Sequence, residues 1–188
     1  MAWPLIIASG VFFDNYPPLG TKSTLQEANI GPTVIVDHHE YQVFDNGLVG
    51  MQNWQHRQFV CNNAPTYMGA DKWTVIGEWS AAETDCATYL NGYLIGARYD
   101  GTYPGSSYHG PCLDKNNIAD WDADMRGDVR GFIEAQLETY EAVAQGWIFW
   151  NFKTEQSHEW DAFALLDAGL FPQPLTDRKF GPICSTYG

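Results

Sequence analysis

Apolar residues gather in four short runs along the chain. Residues 5–12 (LIIASGVF), 73–78 (WTVIGE) and 147–152 (WIFWNF) are apolar almost throughout, and 33–44 (TVIVDHHEYQVF) opens β-branched and ends aromatic. Near-continuous runs of this length suit strands covered on both faces, as in a parallel sheet. Between the runs the period changes. Over 124–144, Val129, Phe132, Ile133, Leu137 and Tyr140 recur on one helical face, and Asp122, Asp124 and Asp128 sit near the positive N-terminal end. Ser80 and Glu83 have the spacing of a capping box and Gly92 is a suitable stop, so a helix is expected over 80–92. A weaker helical stretch covers 48–61. Strand then helix, repeated, predicts an α/β fold built of βα units on a parallel sheet. Residues 93–121 form a long Gly- and Tyr-rich connection, of a length that is usually functional or tied by a crosslink. No repeat, low-complexity tract or linker divides the chain, so residues 1–188 read as one unit.

Charge removes several functions. The 188 residues carry 10 Lys and Arg against 23 Asp and Glu, a formal net charge of −13. A nucleic-acid binder needs a basic face for phosphates, and anionic lipid is repelled in the same way. Aromatic residues make up 15% of the chain, which supplies a core and argues against a disordered acidic tail. No apolar run approaches the ~20 residues of a membrane span. Cys61, Cys86, Cys112 and Cys184 are widely spaced with no C-x-x-C, a pattern that suits disulfides more than a metal knuckle. Three pairings are open, and Cys86 with Cys112 would close the long connection. Residues 5–12 read as a strand rather than a signal peptide, because no Lys or Arg precedes them and Pro4 interrupts.

Chemistry is concentrated at the strand ends. Glu78 closes an apolar run, and in a parallel βα sheet the C-terminal strand ends form the ligand face. A carboxylate there costs desolvation unless it has partners or a task. His39 and Tyr41 are two apart on a strand and share a face, so both can address a ligand or that carboxylate. His38 and His39 are adjacent and point to opposite faces, so they do not readily ligate one metal, and no H-E-x-x-H or Cys/His spacing is present. No metal or cofactor is expected. Trp150 is a candidate platform for the apolar C–H face of a sugar, or a core indole. Phe44 is a second platform or core. Arg98 either bonds hydroxyls or clamps a carboxylate or carbonyl. No G-x-G-x-x-G, Walker loop or G-x-S-x-G elbow occurs, and Ser80 has no evident base.

Five segments, taken together and in order, carry a specific likeness. They are residues 36–44 (VDHHEYQVF), 76–82 (IGEWSAA), 96–99 (GARY), 146–150 (GWIFW) with Lys153-Thr154-Glu155, and 169–174 (GLFPQP). They resemble fungal exo-β-1,3-glucanases of glycoside hydrolase family 5. The resemblance implies a (β/α)8 barrel with its active site at the C-terminal face, of which the four runs would be the last four strands. It implies Glu78 as the retaining nucleophile, His39 and Tyr41 in the glucose subsite with Tyr41 bonding the nucleophile, Trp150 under the cleaved sugar, and Phe44 clamping the next one. Arg98 matches a family position. The resemblance also implies disulfides Cys86–Cys112 and Cys61–Cys184, β-glucan or an oligosaccharide as partner, and an extracellular or cell-wall location.

One departure matters. Retaining hydrolysis needs a second carboxylate as acid/base, which the family carries in an Asn-Glu-Pro segment. This chain has only Asn63-Ala64-Pro65, in the wrong place. It therefore reads as the second half of the barrel, with little or no turnover expected alone and self-association or pairing with an N-terminal half expected to cover its edges. A non-catalytic glucan-binding remnant is the alternative.

Overall fold

A computed structural model describes residues 35–68 and 73–187. The first apolar run, 5–12, lies outside them. Among the described residues the elements run β1 (Ile35–Glu40), α1 (Asn53–Asn62), α2 (Ala64–Tyr67), β2 (Trp73–Trp79), α3 (Ala123–Val143), β3 (Gly146–Phe149) and α4 (Ala162–Asp167), with single 3-10 turns at Ile118–Asp120, His158–Trp160 and Ile183–Thr186. The strands form a parallel sheet in the order β1-β2-β3. This is the α/β class the alternating pattern predicts. Among the described residues the sheet is small and is not closed on itself.

The long helix α3 organises the core. Asp122 caps it, its carboxylate accepting from the Met125 amide at 2.8 Å, and Asp124 lies in the first turn where the helix dipole favours negative charge. Phe132, Ile133, Leu137 and Tyr140 are essentially inaccessible to water and pack with Ile76 and Trp79 of β2 and with Leu165, Leu170 and Phe171 beyond β3. Each such side chain contributes roughly 1.5–3 kcal/mol by leaving water. Polar anchors inside this layer fix the tail. Buried Glu134 pairs with Arg130 and accepts from the amides of Lys179 and Phe180, both at 2.9 Å, while Arg130 donates to the Gly169 carbonyl at 3.1 Å.

Two disulfides staple the loops to this layer. Cys61 at the end of α1 joins Cys184, and Cys86 joins Cys112, the pairings implied by the family resemblance.

Four expected elements differ. No helix forms over 80–92; the segment is a series of turns and bends. Asp85 is the reason. Its buried carboxylate accepts from the amides of Arg98 at 2.7 Å and Tyr99 at 3.0 Å and from Asn91 Nδ2 at 2.8 Å, while Cys86 is held by its disulfide. These tertiary bonds outweigh a local propensity of a few tenths of a kcal/mol per residue. The helix expected over 48–61 is confined to Asn53–Asn62, closed at its start by the Gln52 amide donating to Gln55 Oε1 at 2.8 Å. β1 and β3 are shorter than their apolar runs, so Tyr41, Phe44 and Trp150 stand just beyond strand ends rather than within strands.

Candidate active site

The site is made by an irregularity in β2. Pairing with β1 runs Ile35↔Trp73 to His38↔Ile76 and then jumps to His39↔Glu78, leaving Gly77 as an extra residue. Such a bulge reverses the alternation of faces. Thr74, Ile76 and Trp79 are buried, whereas Glu78 joins the opposite, half-open face. Were Gly77 instead paired in a regular ladder, Glu78 would share a face with Ile76 and sit in the core. Glycine is required there, because a methyl group on Gly77 would come within 1.7 Å of Asp37 Oδ1.

Three predicted residues converge. The Tyr41 hydroxyl donates to Glu78 Oε2 at 2.8 Å, and His39 Nδ1 lies 3.6 Å from the same oxygen. Burial, then the hydrogen bond and charge of Glu78, push the Tyr41 phenol far above its usual range, so it remains a proton donor to the carboxylate. The Tyr41 ring packs edge-on against Phe44 at 5.6 Å between centroids, and against Trp160 at 5.3 Å. Glu78 thus presents a partly accessible carboxylate held by a tyrosine and flanked by an imidazole, chemistry suited to a nucleophile or a hydroxyl-binding anchor.

Trp150 follows β3 directly, with its amide donating to the Trp79 carbonyl at 2.7 Å, and its peptide bond to Asn151 is cis. Trp150 and Phe44 are each 45% exposed, so neither is a core residue. Arg98 stands apart from this group. Its Nη1 donates to Asn91 Oδ1 at 2.6 Å and Asp85 Oδ2 at 3.2 Å, and its guanidinium covers the Tyr103 ring at 3.8 Å. The carboxylate-clamp reading describes these bonds. His38 lies on the other side of β1, with Nε2 3.1 Å from Glu40 Oε2. Among the described residues no group of three or more His, Cys, Asp and Glu is arranged to hold a metal ion, and no helix is long and apolar enough to cross a membrane.

Two features escaped the sequence reading. Asp37 lies 3.1 Å from His39 Nε2; its two-residue spacing on β1 was the available signal. A separate polar cavity of about 190 Å³ is lined by His56, Glu83, Thr84, Lys115, Asp128 and Glu159, among others. Burial pushes Glu83 up to about 8, with the charge of Asp128 adding to the effect and Arg57 and Lys115 opposing it. Burial and Glu83 raise Glu159 well above the carboxylate range, and burial lowers His56 to about 4. Alternating polarity carries no sign of this cavity, because its walls come from segments far apart in the chain.

No protein-family model matches the chain. Individual proteins do. The chain is 44% identical over 167 residues to the glucan 1,3-beta-glucosidase of Kluyveromyces lactis, a match covering 87% of this chain and 38% of the relative. It is 46% identical over 158 residues to the probable glucan 1,3-beta-glucosidase A of Aspergillus niger, covering 82% and 38% respectively. It is 43% identical over 157 residues to the glucan 1,3-beta-glucosidase I/II of Saccharomyces cerevisiae, covering 81% and 35%. Identity at this level across four-fifths of the chain makes it a homologue of glycosidases. In particular, its homologues are glucan 1,3-beta-glucosidases, and the chain spans little more than a third of their length.

Proposed function

We propose that the chain carries the nucleophile side of a retaining exo-β-1,3-glucosidase site, within the second half of a (β/α)8 barrel. Glu78 is the nucleophile, Tyr41 and His39 hold it and the glucose unit, Trp150 is the platform beneath the cleaved sugar, and Phe44 narrows the entrance. Arg98 braces the connection after β2 through Asp85 and Asn91. The observation that carries the reading is the Tyr41–Glu78 hydrogen bond of 2.8 Å at the bulged end of a parallel strand, with His39 beside it.

The implied reaction has two halves. Glu78 attacks the anomeric carbon and the leaving oxygen takes a proton from an acid; water then cleaves the glucosyl ester with retention. Asp37 shares the cluster but is turned against His39, with its other oxygen buried. The acid/base is therefore supplied from outside this set, and its absence lowers the rate roughly 10²–10⁴-fold. The substrate class is β-1,3-glucan, the setting extracellular or cell wall, and the edges that β1 and β3 leave unpaired among the described residues are covered by self-association or by an N-terminal half barrel.

Two measurements on the purified chain test this. Calorimetric titration with laminari-oligosaccharides is expected to give binding that Glu78→Gln retains and Trp150→Ala loses. A chromogenic β-glucoside is expected to be turned over weakly or not at all. Binding without hydrolysis in every setting, including after addition of an N-terminal half, would favour the glucan-binding remnant; no binding at all would overturn both readings. Light scattering showing a stable, well-folded monomer would overturn the association.

A further inference from the structure

Asp37 is the one carboxylate of the Glu78 cluster that the catalytic reading leaves unused. It sits two residues before His39 on the same face of β1, and its Oδ2 lies 3.1 Å from His39 Nε2. The other imidazole nitrogen, Nδ1, is 3.6 Å from Glu78 Oε2, beyond hydrogen-bond length. Asp37 Oδ1 is buried without a hydrogen-bond partner among the described residues. It lies where a Gly77 side chain would otherwise stand, 1.7 Å from the position of that residue's Cβ. The bulge that turns Glu78 toward the half-open face therefore also makes room for Asp37 against β2. One carboxylate is held partly buried, with one oxygen inaccessible, and its side-chain partner is the ring of His39.

A neutral imidazole carries one N–H, and the hydrogen bond made by one nitrogen decides which. The geometry points to Asp37 as the positioning residue of His39: it accepts from Nε2–H and fixes the tautomer that leaves the Nδ1 lone pair beside Glu78. Resting on the proposed sugar site, this makes Nδ1 an acceptor for a substrate hydroxyl. Without Asp37 the ring is free to place its proton on Nδ1 and donate to Glu78, which would occupy the nucleophile. The tautomer requires an acceptor oxygen at this place, so an amide carbonyl at position 37 can stand in for the carboxylate as a weaker acceptor.

The test reads the tautomer directly. Long-range ¹H–¹⁵N correlation spectra of the labelled 188-residue chain, with His39 assigned through His39→Gln, distinguish protonated from lone-pair nitrogens. The expected result at neutral pH is the proton on Nε2, favoured roughly tenfold or more, as a charge-assisted bond implies. Asp37→Ala is expected to reverse or equalise the two nitrogens, and Asp37→Asn to restore the native pattern. A proton on Nδ1, both nitrogens protonated, or an Asp37→Ala pattern matching wild type would overturn the assignment. The wild-type spectrum decides even if the alanine variant does not fold. The readout is independent of sugar: lost oligosaccharide binding with the Nε2–H tautomer intact would count against the proposed function alone.

Discussion

The buried carboxyl of Glu83 gives stability a definite pH signature. Glu83 is held neutral in the folded chain up to about 8, whereas it ionises near 4.5 when exposed. The folded state thus binds a proton that the unfolded state has released, and stability falls as pH rises through that window, by up to ~1.4 kcal/mol per unit for one group. His56, facing the same cavity, works in the opposite sense. Burial lowers it to about 4 from 6.5, so its contribution is lost as pH falls and rises again toward 6.5. The two nearly cancel between 4.5 and 6.5. From 6.5 to 8 Glu83 is unopposed by His56, and one and a half units amount to about 2 kcal/mol. Glu159, also raised, adds to the decline. Against a typical total of 5–15 kcal/mol this is a visible loss. Urea unfolding at fixed ionic strength from pH 6.5 to 8 should show the midpoint falling in the wild type. Glu83→Gln, neutral at every pH, should remove about 2 kcal/mol of that fall. An unchanged slope in Glu83→Gln, or a wild-type midpoint that rises across the window, would refute the argument.

Other perturbations follow from the packing. Cys61 and Cys184 are 123 residues apart and Cys86 and Cys112 only 26. Loop entropy alone predicts losses of about 5 and 3.5 kcal/mol for the respective double alanine variants, so calorimetry should find the first pair costlier to remove. Leu137→Ala, at a site with no water access, is expected to cost about 2–5 kcal/mol in denaturant titration. Glu134→Ala leaves the buried Arg130 with Asp177 and two backbone carbonyls and frees two tail amides; a loss of about 1–3 kcal/mol is expected, with hydrogen exchange rising first at Lys179 and Phe180. Gly77→Ala should displace Asp37 and split the Tyr41–Glu78 contact, seen as a blue-shifted or sharpened tyrosine absorbance difference; an unaltered spectrum in a folded variant would mean the bulge tolerates a side chain.

The α/β class, the long helix and the set of candidate side chains were legible in the chain itself. Helical spacing from Val129 to Tyr140 and the acid-rich start before it are local signals, and the structure has α3 where they predict it. The turns over 80–92 were not legible. A capping spacing at Ser80 and Glu83 describes what that segment would do in isolation, but Asp85 gathers its partners from Asn91, Arg98 and Tyr99 and holds the backbone open. Arg98 was ambiguous for the same reason, since its partners are known only once the connection is folded.

What the amino-acid order alone determined is the alternation of strands and helices and the chemistry available at the strand ends, because periodic apolar spacing and short-range backbone preferences act within a few residues. What only the tertiary structure decided is the face on which that chemistry appears. One unpaired residue at Gly77 turns Glu78 from the core toward Tyr41 and His39, and a register shift of that kind exists only between two strands, not within one.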